Sequence, residues 1–285
     1  MHDEITIVVR PHTAGFFSNF NKVVNHLHKG LGNDGVVAVK VDWQVREPIP
    51  HFVYGLPADG NVWDHLFEPL AFPHFPPATR DGQKWSSVEM TGIHAYDYYR
   101  RPDWREELHR TYARHIRVRP DLRARLDALL PTDPSIFRVG VHYRHPTHSA
   151  ETPFPIRPLG AFVRRARRLV GLRRRWQVVL ATDVDDAVDH FRAAFGSRLV
   201  VQPGVDRSSG AEQMHHVGNV RGVALAQQVL LDALMLARCD ALVHVTSNVA
   251  TAVGYMNPRL RMVYCEPFWE TWRARAGQGR PRALP

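Results

Sequence analysis

Hydrophobic positions along the chain alternate between short continuous runs and helical spacing, which predicts strands that alternate with helices. In the first half, an apolar run at residues 5–10 precedes a turn at Gly15 and a segment whose apolar residues recur at helical intervals up to Leu27. A second apolar run covers residues 35–43. Strand, glycine turn, helix and strand form the βαβ pattern of an α/β domain.

Residues 47–99 interrupt this alternation. They are rich in proline, aromatic and turn residues, which predicts irregular loops that face a substrate. Residues 102–130 predict two helices with a break at Pro120, because proline is poorly tolerated inside a helix. The PTDP segment at 131–134 is typical of a linker, and we place a domain boundary there.

The second half of the chain repeats the α/β alternation. Predicted strands lie near residues 136–142, 177–182, 198–201, 241–245 and 261–264, and predicted helices near 158–170, 185–195, 220–238 and 247–256. A last helix is predicted in the C-terminal WETWRARAG segment. The pattern therefore predicts an α/β protein of two Rossmann-like domains that face a cleft, an N-terminal domain at 1–133 and a C-terminal domain at 134–285.

Composition supports a soluble protein. The apolar content of 44% is ordinary for a globular domain, and no apolar run reaches the roughly 20 residues that span a bilayer. The N-terminus lacks the features of a signal peptide, and Cys239 and Cys265 make no disulfide or metal pattern. We therefore expect a cytoplasmic location.

The net charge of +9 comes mainly from arginine. The densest arginine run begins at Arg164 and ends at Arg175, around an apolar stripe with helical spacing. This pattern is typical of a surface helix with a solvated basic face, and peripheral contact with an anionic membrane is the alternative. Because the sequence has no DNA-binding motif and no alternation of aromatic and basic residues, we expect no nucleic-acid partner.

Three predicted strands of the second half end in polar residues. These are His142 and Arg144 on the first strand, Asp183 on the second, and Thr246, Ser247 and Asn248 on the third. In open α/β sheets, ligands bind at the carboxyl ends of strands, where helix N-termini gather. The guanidinium of Arg144 is suited to a diphosphate, because it makes paired hydrogen bonds and keeps its charge. These strand ends predict a nucleotide-sugar site.

Two further positions carry candidate chemistry. Asp232 lies among apolar residues of the predicted helix at 220–238, where a carboxylate needs a local partner or hydrogen bonds from a ligand such as a purine base. The polar loop at 145–155 holds His148 and Glu151. A carboxylate or an imidazole at such a position is suited to remove the proton of an acceptor hydroxyl.

Other chemistries have little support in the sequence. The DVD string at Asp183 is similar to a metal-binding DxD motif, but Asp185 and Asp186 fit the cap and first turn of the next helix, so we expect no metal site. The sequence contains no GxSxG, HExxH, GxxxxGK[ST] or complete GxGxxG motif. Hydrolase triads, zinc peptidase chemistry and P-loop phosphoryl transfer are therefore not indicated.

Three segments resemble motifs of the α1,6-fucosyltransferases and the related bacterial Nod-factor fucosyltransferases. GVHYRH resembles their HxRR motif, LATDVDD their ATDD segment, and the stretch from VRGVALAQQ to ATAVGYM their long helix and SSQV-like turn. AGFFSNFNKVVNHL and NVWDHLFEPL add weaker similarities. The second arginine of HxRR is His145 here, and Pro146 and Thr147 replace the acidic residue that follows.

The resemblance implies a GT-B-like fold and transfer of fucose from GDP-fucose with inversion and without a required metal. It implies that Arg144 binds the β-phosphate and that His142 and Asp232 contact the guanosine. The remaining donor-site residues would be Asp183, Thr246, Ser247 and Asn248.

The resemblance also bears on the acceptor side. Glu151 adjoins the position of the family's catalytic carboxylate and is the expected general base, with His148 as the alternative. The residues expected to line the acceptor side of the first domain are Gly15, Phe16, Asn19, Trp63 and His65.

The sequence thus predicts a glycosyltransferase that needs no cofactor, uses a GDP-sugar as co-substrate with GDP-fucose as the favoured donor, and modifies a glycan or small-molecule hydroxyl. Two alternatives remain. One is a catalytically inactive sugar-nucleotide-binding protein, which the altered HxRR sequence motivates. The other is a membrane-surface adaptor that uses the basic face of residues 164–175.

Overall fold

The computed structural model describes residues 4–12, 14–44, 60–82, 101–144, 156–208 and 222–265. The elements before the predicted boundary are β1 (Ile5–Val9), α1 (Phe16–Asn25), β2 (Val36–Val41), β3 (Thr79–Asp81), α2 (Pro102–His115) and α3 (Pro120–Leu129). A π-helical turn extends α1 over His26–Gly30, and a 3₁₀ turn covers Val62–His65.

The elements after the boundary are β4 (Phe137–Tyr143), α4 (Leu159–Val170), β5 (Trp176–Thr182), α5 (Asp185–Phe195), β6 (Leu199–Val201), α6 (Gly222–Ala237), β7 (Ala241–His244), α7 (Asn248–Met256) and β8 (Arg261–Tyr264). Their ends differ from the predicted ones by no more than two residues. The helix predicted in WETWRARAG lies outside the described residues.

The N-terminal sheet has the strand order β2-β1-β3, and both strand pairs are parallel. The third strand corrects the expectation of irregular loops over 47–99, of which the structure describes residues 60–82. Its three residues, Thr79, Arg80 and Asp81, are all exposed at the edge of the sheet, so no alternation of apolar and polar positions marks them as a strand.

The C-terminal sheet has the order β6-β5-β4-β7-β8, and every pair is parallel. Counted from β4, this is the 3-2-1-4-5 order of a Rossmann sheet. The connections after β4 and β7 leave in opposite directions, so a crevice opens between the carboxyl ends of these two strands. The predicted α/β class with two Rossmann-like parallel sheets is confirmed.

The two halves share an apolar core. Phe20 of α1 and Leu108 of α2 belong to the same cluster of buried side chains as Leu230 of α6 and Tyr255 of α7. Polar contacts cross the same interface: the Arg105 guanidinium donates to the Leu260 carbonyl at 2.8 Å. The boundary between residues 133 and 134 stays a prediction, because this core continues across it.

Candidate functional site

The centre of the candidate site is the crevice between β4 and β7. His142 near the end of β4 is buried, and its Nδ1 lies 3.2 Å from the hydroxyl oxygen of Ser247. Ser247 follows β7 and is the N-cap of α7, where its Oγ accepts a hydrogen bond from the Ala250 amide at 3.0 Å. One hydroxyl therefore connects the ends of two adjacent strands and orients a helix.

The start of α7 and Arg144 form a positively polarised edge. Ser247 has an extended backbone, and its carbonyl accepts the first intrahelical bond of α7 from the Thr251 amide. The amides of Asn248 and Val249 precede the bonded amides and lie at the crevice end of the helix, where an anion is stabilised by the helix dipole. Arg144 is partly buried and follows β4 directly at the same edge. Together they suit a diphosphate.

Asp183 follows β5, the other neighbour of β4. Tyr143 is paired with Thr182 across these strands, so Asp183 lies level with Arg144 at the carboxyl edge of the sheet. Asp183 also acts on Tyr143: burial, and secondly the negative charge of Asp183, raise the pKa of the Tyr143 phenol. The three predicted strand ends are thus brought together at one edge.

The DVD string leads from the end of β5 into α5, and Asp185 is the first residue of the helix. Asp185 and Asp186 are exposed in the first turn of α5, where carboxylates complement the helix dipole. Val184, rather than an aspartate, occupies the N-cap position. Within the described ranges, no three His, Cys, Asp or Glu side chains are grouped as a metal site requires.

Thr246 and Asn248 flank Ser247 and have different partners. The Thr246 hydroxyl donates to the Tyr264 hydroxyl at 2.9 Å, at the end of β8. Asn248 is exposed as the first residue of α7. Its side-chain oxygen accepts from the Asn21 amide at 3.3 Å, and its carbonyl accepts from the same amide at 3.1 Å.

Asn21 is a site-supporting residue that the sequence did not reveal. It lies on α1, and its side-chain oxygen accepts a hydrogen bond of 2.7 Å from the buried Tyr255 hydroxyl of α7. The same side chain thus joins α1 to both the first and the last turn of α7. An asparagine on a helix that also carries apolar core residues offers no sequence signal for a contact that spans 227 residues.

Asp232 lies on α6 in a largely apolar setting. Burial raises the pKa of its carboxyl to about 7, and the positive charge of Arg207 opposes that rise. Gln202, directly after β6, faces it: with its nitrogen turned toward Asp232, the Gln202 amide donates to Oδ1 at 3.2 Å. The carboxylate that the sequence selected therefore has two polar neighbours that the sequence did not single out.

Arg207 is held by backbone carbonyls around the carboxyl edge of β5 and β6. Its guanidinium donates to the carbonyls of Thr182 at 3.2 Å, Val205 at 3.2 Å and Gln202 at 3.1 Å. Gln202 has the strand-end position that marked the other candidates, so the same rule would have found it. Arg207 lies farther along the loop and carries no comparable signal.

The residues expected on the acceptor side separate into two groups. Gly15, the N-cap of α1, and His65, at the end of the 3₁₀ turn, are exposed. Phe16, Asn19 and Trp63 are buried, with 5%, 0% and 2% of their surfaces exposed. The expectation that these three side chains line a surface is corrected, because two are large apolar groups that pack in the core.

Asn19 has a specific role in the turn before α1. Its side-chain oxygen accepts from the His12 amide at 2.7 Å, and its side-chain nitrogen donates to the carbonyls of His12 at 3.1 Å and Ala14 at 2.8 Å. A buried amide with these partners stabilises the strand-to-helix turn. The candidate bases His148 and Glu151 lie outside the described residues.

The arginine-rich segment forms α4 and the turn after it. The predicted apolar stripe is buried against the sheet, while Arg164, Arg167 and Arg168 are exposed. Leu172, in the turn, is fully exposed. Arg173 stacks at 3.8 Å on the ring of Phe137. None of the described helices is long and apolar enough to cross a membrane.

Comparisons with known proteins bear on the fold. No protein-family model and no curated protein matches the sequence. Among solved structures, the chain is similar to NodZ α-1,6-fucosyltransferase co-crystallised with GDP, with a TM-score of 0.57 and 19% identity over 90% of this chain and 93% of that one. NodZ soaked with GDP-fucose gives a TM-score of 0.56, 18% identity and coverage of 90% and 94%. NodZ from Bradyrhizobium gives a TM-score of 0.54 and 19% identity, over 89% of this chain and 92% of that one.

These similarities extend over nearly the whole length of both chains, so they include both sheets. They agree with the resemblance drawn from the three strand-end motifs. At this level of identity, the likeness establishes the architecture. The chain therefore has the GT-B-like fold of the NodZ fucosyltransferases.

Proposed function

We propose that the protein is an inverting glycosyltransferase that transfers fucose from GDP-fucose to a hydroxyl of a glycan or small molecule. The observation that carries this proposal is the hydrogen bond between His142 and Ser247 at the switch point of the C-terminal sheet, with Arg144 beside it. This is the place where Rossmann sheets bind nucleotides. The solved NodZ structures with the same fold contain GDP or were soaked with GDP-fucose.

The donor is held by groups of the C-terminal domain. Arg144 and the amides at the start of α7 bind the diphosphate, and these supply positive charge without a metal ion. His142 and Asp232 contact the guanosine, in agreement with the resemblance to the fucosyltransferases. Asp183 and Ser247 line the donor site, with Thr246 and Asn248 beside them.

The chemical step is a direct displacement. The acceptor oxygen attacks the anomeric carbon on the side opposite the diphosphate, and the bond between that carbon and the β-phosphate oxygen breaks. The hydroxyl proton passes to Glu151, or to His148 in the alternative assignment. Arg144 and the α7 N-terminus stabilise the charge that develops on the departing GDP.

The exposed residues Gly15 and His65 remain our candidates for the acceptor side.

A cytoplasmic location fits the two thiols, Cys239 and Cys265, which are buried and free.

Nucleotide selectivity tests the proposal. Thermal unfolding is measured with GDP, GDP-fucose, GDP-mannose, UDP, UDP-glucose and dTDP, because a ligand that binds the folded state raises its stability. We expect shifts with the GDP compounds alone. A preference for UDP or dTDP would retain the transferase and exclude fucose, and no shift with any nucleotide would contradict the proposal.

Variants of Arg144 link this binding to turnover. Arg144→Ala is expected to lose the GDP shift and to lower the transfer rate by roughly a hundredfold or more, because one stabilising donor of a leaving group has about this effect. Arg144→Lys keeps the positive charge but loses the paired hydrogen bonds of the guanidinium, and it should bind GDP better than Arg144→Ala. Full transfer activity in Arg144→Ala would contradict the assignment, and GDP binding without turnover on any acceptor would favour the inactive binding protein.

A second candidate function is peripheral contact with an anionic membrane. Helix α4 contains no acidic residue, and its exposed face carries Arg164 and Arg168 one helical turn apart. The fully exposed Leu172 adds an apolar group next to these cations. Basic residues next to an exposed apolar side chain suit an anionic lipid surface, and such contact is compatible with sugar transfer to a lipid-linked acceptor.

A further inference from the structure

The surroundings of Asp232 go beyond what a partly buried carboxylate needs for stability. A lone carboxylate in an apolar setting is destabilising unless it is neutralised or hydrogen-bonded. With the Gln202 nitrogen turned toward it, Asp232 has an amide donor of which only 3% is exposed. The positive charge of Arg207 also acts on it. Both groups favour the charged form of the carboxyl.

We propose that Gln202 and Arg207 are positioning residues that keep Asp232 an oriented carboxylate, and that this pair thereby determines the preference of the site for guanine over other bases. The inference rests on the proposed function, because it assigns the determinants of base choice within the donor site.

The chemistry of the bases explains why the charge of Asp232 matters. Guanine presents two adjacent donors, N1–H and the N2 amino group, which match the two oxygens of one carboxylate. Uracil and thymine do not present this pair of donors. A protonated carboxyl has lost one of its two acceptor positions to a hydrogen, so it cannot receive both bonds.

Gln202 fixes the orientation of the carboxylate. With its nitrogen toward Asp232, its amide donates to Oδ1 at 3.2 Å and to the Gln228 carbonyl at 3.2 Å. Gln228 precedes Asp232 by one turn of α6, so the amide holds the carboxylate against the helix that carries it. Gln202 itself is held by the short strand β6 that it follows.

Arg207 supplies charge from a position that it cannot easily leave. Its three hydrogen bonds to backbone carbonyls of Thr182, Val205 and Gln202 fix the guanidinium plane. Because those partners are neutral, none of them cancels its charge, and the field of Arg207 reaches Asp232. Burial raises the pKa of Asp232 to about 7, and Arg207 opposes that rise.

Other charged groups on the described elements around α6 are exposed or have partners other than Asp232, and Arg125 donates to the Gln227 side chain of α6 at 2.9 Å. The elements packed against α6 carry Arg138 and His142 on β4, Asp121, Arg123, Arg125 and Asp127 on α3, and Asp64 and His65 on the 3₁₀ turn. Arg138 donates to the Gln177 side chain and His142 contacts Ser247, whereas the residues of α3 and of the 3₁₀ turn are exposed. Strand β5 and helix α7 carry no charged residue. Among the described residues, Arg207 is the charged group that acts on Asp232.

The test compares the dissociation constants of GDP and UDP from pH 5.5 to 9 in the full-length protein. Both nucleotides carry the same diphosphate, so protonation of the diphosphate affects both dissociation constants alike. The ratio of the two constants therefore reports on recognition of the base. In the wild-type protein, the preference for GDP should fall by up to about tenfold per pH unit as Asp232 gains a proton on acidification through neutral pH. The variants are Arg207→Met, Arg207→Lys and Gln202→Leu.

Each variant has its own expected result. Arg207→Met should raise the midpoint, the pH at which half of the GDP preference is lost, by about one unit. The reason is that an opposite charge nearby lowers a carboxyl pKa by about that much or more. Arg207→Lys keeps the charge and should keep the midpoint. Gln202→Leu should raise the midpoint and also weaken GDP binding above pH 8, because the carboxylate then loses its oriented donor.

A ligand-free measurement makes the test independent of GDP binding. The free energy of unfolding is measured against pH for the wild type and Asp232→Asn, and again for both in the Arg207→Met background. The difference within each pair reports the titration of Asp232. Its midpoint should be higher by about one pH unit in the Arg207→Met pair.

Four outcomes decide the inference. An upward midpoint in Arg207→Met and an unchanged one in Arg207→Lys would support it. Equal losses of affinity in both variants at every pH would overturn it and leave Arg207 as a loop anchor. A GDP preference that is constant across the pH range would overturn it while the proposed function stands. No binding of GDP or UDP would contradict both.

Discussion

His142 and Ser247 share a hydrogen bond of 3.2 Å, although 105 residues separate them in the sequence. The contact joins the ends of β4 and β7, which are adjacent in the sheet and form its switch point. Ser247 also caps α7 through the Ala250 amide. Ser247 thus couples the imidazole on β4 to the positively polarised start of α7, which follows β7.

Replacement of this serine tests that coupling. Ser247→Ala should lower the free energy of unfolding by about 1 kcal/mol, the usual cost of a lost N-cap, and should weaken GDP binding because His142 also loses its partner. Ser247→Thr keeps the hydroxyl and is the control. Chemical denaturation and GDP titration of the three proteins measure both effects. Unchanged GDP affinity in Ser247→Ala would remove the hydroxyl from the donor site.

Asp232→Asn should raise the free energy of unfolding near neutral pH and weaken GDP binding. The folded-state pKa of Asp232 is raised to about 7 from 3.8, so the unfolded chain releases this proton at lower pH than the folded one. The carboxylate therefore destabilises the fold as pH rises between these values, by up to about 1.4 kcal/mol per pH unit, and the effect is complete above pH 7.

Asp232→Asn should accordingly be more stable than the wild type at pH 8, with a difference that disappears below pH 4, and should bind GDP more weakly. Denaturant unfolding at several pH values and GDP titration measure the two properties. Lower stability of Asp232→Asn at pH 8 would show that the carboxylate has a structural partner instead.

The contact of Asn21 with α7 should affect both halves of the protein. Asn21→Ala removes the acceptor of the buried Tyr255 hydroxyl, and it should destabilise the fold by about 1–3 kcal/mol. It should also weaken GDP binding, because Asn248 at the start of α7 loses the same side chain. Denaturation and GDP titration follow these changes.

Two further variants serve as controls for Asn21. Asn25→Ala lies on the same helix and should leave GDP binding unchanged. Tyr255→Phe in the Asn21→Ala background should recover part of the lost stability, because it removes the unpaired hydroxyl. Full additivity of the two changes would show that Asn21 and Tyr255 do not act together.

The basic face of α4 can be tested on lipid vesicles. The double variant Arg164→Glu/Arg168→Glu should lower the affinity for anionic vesicles by roughly tenfold or more, because each basic residue near such a surface contributes about 1 kcal/mol of binding free energy. Co-sedimentation with the vesicles measures this affinity. Arg110→Glu with Arg114→Glu on α2 changes the net charge equally with the same spacing and is the control. Binding should fall with added salt. Equal effects of both pairs would show that only net charge matters.

Much of the C-terminal half follows from local patterns. Apolar runs that end in His142, Asp183 and Thr246 define strands, and parallel strands place their carboxyl ends at one edge of a sheet. The sequence pattern therefore sufficed to group these residues with Ser247. It sufficed also for the helices between them, because their apolar spacing is regular and their ends are marked.

Other features depend on which elements pack together, and no local pattern records that. The order of the strands makes β4 and β7 neighbours and brings His142 to Ser247. The sequence alone does not tell whether Phe16 and Trp63 belong to the core or to a ligand-binding surface. In the structure both are buried, because large apolar side chains gain most free energy on leaving water. The polar partners of Asp232 likewise come from a separate loop, so the tertiary structure alone decides its charge.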